Sequence, residues 1–207
     1  MKIMKNQSIN ISINDLTKQY AKSKGIFNIS TNFYAGKLNL LIGENGSGKS
    51  TLIKCIMKLV NYQGKINKRR FRIGYAPENY IMPEYMTINE FLKAIGRIKH
   101  LYNEYLITEV EDELELFNLY QNLNKPIKKL SNGMKQKVNI IQALLNNPKI
   151  IILDEPLVGL DFDSQKSLSK RMIKLSKEKL VIIATHYPEK FKTRSKKIYK
   201  FSNGKLQ

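Results

Sequence analysis

Gly43-Glu44-Asn45-Gly46-Ser47-Gly48-Lys49-Ser50 is the stretch on which the reading of this chain turns. It satisfies the pattern G-x-x-x-x-G-K-[ST] in full. Its neighbours agree. The apolar run Leu38–Ile42 before it predicts a buried strand, and residues 50–59 after it predict a helix. Glycines let backbone N–H groups curl round a phosphate without a Cβ in the way. The helix that follows points unsatisfied N–H groups and partial positive charge at the same anion. Lys49 adds a compact full charge suited to β- and γ-phosphates, and Ser50 offers a hydroxyl to Mg²⁺, an oxygen-seeking ion.

A second stretch, Ile150-Ile151-Ile152-Leu153-Asp154-Glu155, supplies what such a loop lacks. Four apolar residues predict a buried strand with two carboxylates at its C-terminal end, where α/β sheets bind ligands. Asp154 is placed to hold Mg²⁺, largely through water. Glu155 is placed to orient and deprotonate a water that attacks a γ-phosphate.

Further out, Leu180–Ala184 reads as another buried strand, and 9–13 and 71–75 as partly exposed ones. Helices are expected over 89–98, behind the capping box Thr87-x-x-Glu90, and over 108–119, 132–146 and 164–177. The acidic face of 108–119 reads as solvated. The basic segment 65–72 reads as an exposed hairpin, and 197–205 as a strand with a turn. Strands gather in 1–78 and 150–207, while 79–149 is helical, so a parallel α/β core interrupted by a helical insertion is expected.

The chain has 207 residues, the size of one domain with an inserted subdomain. Its 36 Lys+Arg exceed 17 Asp+Glu, a net charge of +19. Only six of the basic residues are Arg, so planar phosphate recognition is not the dominant selection, and the lysines read first as a solvated surface. Cys55 is the single cysteine, which excludes an intrachain disulfide framework and a multi-cysteine zinc site. No secretory leader and no run of 18–20 apolar residues is visible, so work at a membrane requires docking onto another protein.

The segment Leu130-Ser131-Asn132-Gly133-Met134-Lys135-Gln136 narrows the reading. It resembles the L-S-G-G-Q signature of ATP-binding cassette (ABC) proteins, with Asn132 and Met134 where that signature has Gly and Gln. The resemblance extends along nearly the whole chain. It implies a P-loop NTPase fold: a RecA-like parallel core, an antiparallel N-terminal β subdomain and the inserted helical subdomain. It implies ATP and Mg²⁺ bound by Gly43 to Ser50 with Thr51, and an adenine platform at Tyr20, with Phe27 as a rival. It further implies a partner-facing signature at Ser131, Asn132, Gly133 and Met134, a D-loop at Gly159-Leu160-Asp161, and a switch histidine at His186. In Gly74-Tyr75-Ala76-Pro77-Glu78 the family more often ends in Gln. Glu78 could still ligate Mg²⁺, at the cost of negative charge near the γ-phosphate.

The combination G-Y-x-P-E with L-S-x-G-M-K-Q is similar to a branch of exporters for drugs, ions and antimicrobial peptides. The resemblance therefore implies an ATPase subunit, peripheral on the cytoplasmic face of a membrane. It would form a homodimer or heterodimer on ATP binding and drive separately encoded transmembrane permease subunits. Contacts to those subunits are expected at Tyr80, Ile81, Met82 and Tyr85. The alternative, a soluble cassette ATPase acting on nucleic acid or the ribosome, is disfavoured by one cassette without a heptad arm. A small-molecule kinase is disfavoured by Ser131 and Gly133 and by Glu155 directly after Asp154.

Overall fold

The computed structural model describes residues 9–22, 24–101 and 108–207. Three apolar segments make the centre of a six-stranded sheet: β3 (Leu38–Ile42), β6 (Ile150–Asp154) and β7 (Leu180–Ala184). With β5 (Ile73–Ala76), β8 (Lys196–Ser202) and β9 (Lys205–Leu206) they stand in the order β5-β6-β7-β3-β8-β9. Every pairing is parallel except β8 with β9. Strands covered on both faces can be apolar throughout, and β6 and β7 are buried at every position. Their pleat still sorts side chains. Ile150, Ile152, Leu180 and Ile182 enter one core, Ile151, Leu153, Val181 and Ile183 the other.

The first core is closed by α1 (Lys49–Ile56) and by an antiparallel sheet of order β2-β1-β4, made of β1 (Asn10–Ala21), β2 (Lys24–Tyr34) and β4 (Gln63–Lys68). The second core is closed by α2 (Ile88–Ile98), α3 (Glu111–Leu116), α4 (Asn132–Leu144) and α5 (Phe162–Leu175). Starts of helices follow the caps in the sequence. Thr87 Oγ1 accepts from Glu90 N at 3.2 Å while Glu90 Oε2 accepts from Thr87 N at 2.8 Å. Ser131 caps α4, and Asp161 caps α5.

Several helix ends fall short of expectation. Lys58 and Asn118 adopt positive φ (58° and 53°), which closes α1 and α3 early, and α4 ends where Leu145 turns extended (ψ 139°), ahead of left-handed Asn146 and Asn147. Residues 108–119 are not one helix: Thr108–Val110 is a 3-10 turn before α3. Nor is its acidic face all solvated. Glu113 is buried, and its Oε1 accepts from Arg171 Nε at 2.8 Å and from Nη2. Segment 65–72 is not a hairpin either. Lys65 to Lys68 belong to β4, paired with β1, and the chain then crosses to β5 in the other sheet.

Polar Asn39 interrupts the apolar run of β3. Its Nδ2 donates to the carbonyls of Tyr34, Lys37 and Val181 at 3.0–3.1 Å, and its Oδ1 accepts from Tyr199 Oη at 3.2 Å. The residue pins the β2–β3 turn to β7 and β8. Among the described residues no helix is long and apolar enough to cross a membrane.

Candidate nucleotide site

Parallel pairing aligns the C-terminal ends of β3, β5, β6 and β7 along one edge of the sheet. Leu41 and Asp154 both stand opposite Ala184. The ladder then continues past the strands: Thr185 N donates to Leu41 O at 3.0 Å and Glu155 N to Ala184 O at 2.9 Å. Gly43, Glu155 and His186, far apart in sequence, therefore emerge together.

The loop Gly43 to Gly48 folds back on Lys49, whose Nζ donates to Gly43 O at 2.7 Å and to Glu44 O at 3.1 Å. Gly48 is required where it stands. Its φ is 113°, and a Cβ there would lie 2.6 Å from Ile26 Cγ2. As the N-cap of α1 it makes no side-chain cap, so the first N–H groups of the helix stay available to an anion. A cleft of about 180 Å³ opens here, lined by Tyr20, Asn45, Gly46, Ser47, Gly48, Lys49, Ser50, Thr51, Glu78 and Glu155 together with Lys24 and Gly25.

Behind the cleft, Asp154 is 2% exposed and receives a hydrogen bond from the Ser50 hydroxyl. Its Oδ1 is buried without any partner. Burial pushes this carboxyl up to about 6. An orphaned carboxylate oxygen beside a hydroxyl, with Glu78 on the rim, suits Mg²⁺. That ion takes one or two carboxylates and leaves its other positions to phosphate and water. Among the described residues no group of three or more His, Cys, Asp or Glu forms a dedicated metal cage.

Glu155 directly follows β6 with a left-handed φ of 47°, a strained position for a side chain-bearing residue. Its Oε2 accepts from His186 N at 3.3 Å. Oε1 lies 3.1 Å from His186 Nε2 and 4.0 Å from Lys49 Nζ but accepts no aligned hydrogen bond. Burial pushes Glu155 up to about 7, while the backbone N–H of His186 and the charge of Lys49 act in the opposite direction. Lys49 itself is drawn below its ordinary value by burial, against the pull of Glu155, Asp154 and Glu78. His186 is lowered by burial and by Lys49, against the pull of Glu78. Its Nε2 lies 2.8 Å from Asn45 Oδ1.

Tyr20 is 49% exposed and stands in the cleft with the ammonium of Lys18 4.8 Å from its ring centroid. Phe27 does not line the cleft. It packs on Gly204 behind the loop, donating its N–H to Gly204 O at 2.8 Å.

The remaining residues form a second patch outside the cleft. Ser131 Oγ accepts from Met134 N at 3.2 Å, and Asn132 is exposed beside it. Gly133 presses against the loop 159–161: a Cβ on it would lie 2.6 Å from Gly159 O. Leu160 is nearly buried there. Asp161 accepts from Ser164 N and Oγ at 2.8 Å and from Lys137 Nζ at 3.0 Å. Those bonds hold its carboxyl far below the usual range. Three amides along α4 join the patch to the cleft. Gln136, Asn139 and Gln142 donate to the carbonyls of Glu155 (3.4 Å), Pro77 (2.9 Å) and Tyr75 (2.7 Å). The only sign of this linkage in the sequence was polar residues at i, i+3, i+6 among the apolar positions of the helix. Lys24 and Gly25, at the start of β2, carried no sign at all.

Residues 26–158, more than half of the chain, match the family model described as ABC transporter. An uncharacterised ABC transporter ATP-binding protein of Bacillus subtilis, YxlF, is 32% identical over 85% of this chain and 62% of its own length. The zinc import ATP-binding protein ZnuC of Mannheimia succiniciproducens is 31% identical over 85% of this chain and 66% of its own length. The chain thus spans less than two thirds of each. Among solved structures, one titled as the ATP binding subunit of an ABC transporter superposes with a TM-score of 0.85 at 28% identity, covering 95% of this chain and 87% of the other. With its phosphate loop, its strand-end carboxylates and this match, the chain belongs to the ABC transporter family, as an ATP-binding domain.

Proposed function

We propose that the cleft binds Mg²⁺·ATP and hydrolyses it, and that the chain is the motor subunit of a transporter. The observation that carries this is the convergence of Tyr20, the loop 43–51, Glu78 and Glu155 on one cleft, with the orphaned Asp154 Oδ1 behind it. Tyr20 stacks on adenine. The N–H groups of Gly43 to Thr51 and the ammonium of Lys49 hold the phosphates. Ser50, Asp154 and Glu78 hold Mg²⁺, which neutralises phosphate charge and polarises the γ-phosphoryl group when bound. Glu155 as carboxylate takes a proton from water. The water oxygen bonds to the γ-phosphorus as the bond to the bridging oxygen breaks, leaving ADP and phosphate. His186 donates Nε2–H to the γ-phosphate.

Ser131 to Met134, with Gly159 to Asp161, face the ATP of a second cassette, so two nucleotides close a head-to-tail homodimer or heterodimer. In this reading 1–78 and 150–207 are the catalytic core, and 79–149 is the helical subdomain that carries the signature. Fully exposed Ile81 and Tyr85, 82% exposed, just after Glu78, are the contacts to transmembrane permease subunits on the cytoplasmic face. Met82 is buried and Tyr80 packs on the core, so they only shape that surface. The pairing of Gly74-Tyr75-Ala76-Pro77-Glu78 with the Asn132/Met134 signature supports an exporter of a drug, ion or antimicrobial peptide. The test is Glu155→Gln. ATP binding should persist while turnover falls by about 10²–10⁴-fold; unchanged turnover would remove Glu155 from the base role.

A further inference from the structure

A groove larger than the nucleotide cleft lies apart from it. It measures about 530 Å³ and lies between α5 and the segment that follows His186. That is the size of a small-molecule site. Its floor is apolar, from Phe162 and Ile173 on one face of α5. Its rim carries Lys166 and Lys170 from α5, and Lys190 and Lys192 from the facing segment, against the single carboxylate of Glu189. Lys190 reaches across, its Nζ 5.3 Å from the centroid of Phe162.

One feature sets the groove apart from a solvated lysine face. Phe162 is 69% exposed, with only the Lys190 ammonium over its ring, and is held in place by the Asp161 cap one residue before it. An exposed ring within a ring of ammonium groups is satisfied by one kind of molecule.

The geometry points to a binding site for a small amphipathic organic anion in this groove. Its apolar body lies on Phe162 and Ile173, and its anionic head sits among the four lysines. Lysine ammoniums are point charges, so carboxylate, sulfonate and phosphate heads are all accommodated. The site is separate from the ATP cleft and independent of its chemistry.

The probe is 8-anilinonaphthalene-1-sulfonate, titrated into the folded chain by fluorescence and calorimetry, with neutral N-phenyl-1-naphthylamine as its uncharged counterpart. One saturable site is expected, untouched by excess ADP, with the neutral compound bound about tenfold more weakly or worse. Lys166→Glu with Lys170→Glu, both exposed, should weaken the sulfonate by about tenfold or more, whereas the remote pair Lys65→Glu with Arg70→Glu should leave it within about twofold. Displacement by ADP, equal affinity for the neutral compound, or indifference to the Lys166/Lys170 reversal would overturn the site.

Discussion

Gly133 and Gly159 touch so closely that a methyl group on the first would sit 2.6 Å from the carbonyl oxygen of the second. The turn that opens α4 and the loop that opens α5 are thereby locked into one surface. Lys137 and Asp161 fasten the same two segments 3.0 Å apart. In the proposed dimer this surface meets the partner's nucleotide.

Gly133→Ala should therefore separate binding from dimerisation. The methyl group pushes the two loops apart while the cleft stays intact. Affinity for ADP should change by less than about threefold, and ATP-driven dimerisation in a Glu155→Gln background should be lost. Size-exclusion chromatography with light scattering checks this. A dimer as stable as that of the parent would remove Gly133 from the seam.

Hydrolysis should depend on pH through Glu155. Burial raises its carboxyl to about 7, and only the carboxylate accepts the water proton. kcat/KM should climb as pH rises through about 7 and level off above it, and the residual rate of Glu155→Gln should show no such rise.

The stability linkage has the opposite sense. A carboxyl whose folded value lies above its unfolded one binds more protons when folded, so its contribution is lost as pH rises from about 4.5 through about 7. Glu155→Gln should accordingly stabilise the fold at pH 8, by on the order of 1–3 kcal/mol, and leave its stability nearly unchanged at pH 4. Calorimetry at the two pH values measures the difference.

Glu78→Gln should preserve or raise basal hydrolysis, since it removes negative charge that Asp154, Glu155 and Lys49 all feel. A steady-state phosphate-release assay at saturating Mg²⁺ reads this. A collapse in rate would make the carboxylate itself essential.

Arg171→Met should destabilise the fold by about 2–4 kcal/mol by leaving Glu113 buried without its cation. Adding Glu113→Leu should recover most of that loss, because the orphaned charge goes too. Urea unfolding of the single and double variants gives the coupling.

The phosphate loop, the strand-end carboxylates and three central strands were legible because a strand buried on both faces reads as a bare apolar run. The start of α2 was legible because the Thr87 capping box acts within four residues, whereas the Asp161 cap went unread and α5 begins at Phe162, two residues ahead of the expected 164. β1 beyond residue 13 and β2 were hidden by irregularity. Left-handed Asp15 and Asn28 and the register shifts between them break the period-two pattern. Glu113 with Arg171, and Phe162 with Lys190, were not legible at all. Each pair is brought together only by the tertiary packing of α5, and nothing local records it.

The most direct test of the motor-subunit reading is capture from native membranes with the Glu155→Gln variant, loaded with ATP and Mg²⁺ to hold the closed form. Recovery of a polytopic membrane protein, lost when Ile81 and Tyr85 are both changed to Ser, is the expected result. Recovery of ribosomes or nucleic acid that survives moderate salt, with no membrane protein, would contradict it and give the +19 charge a function.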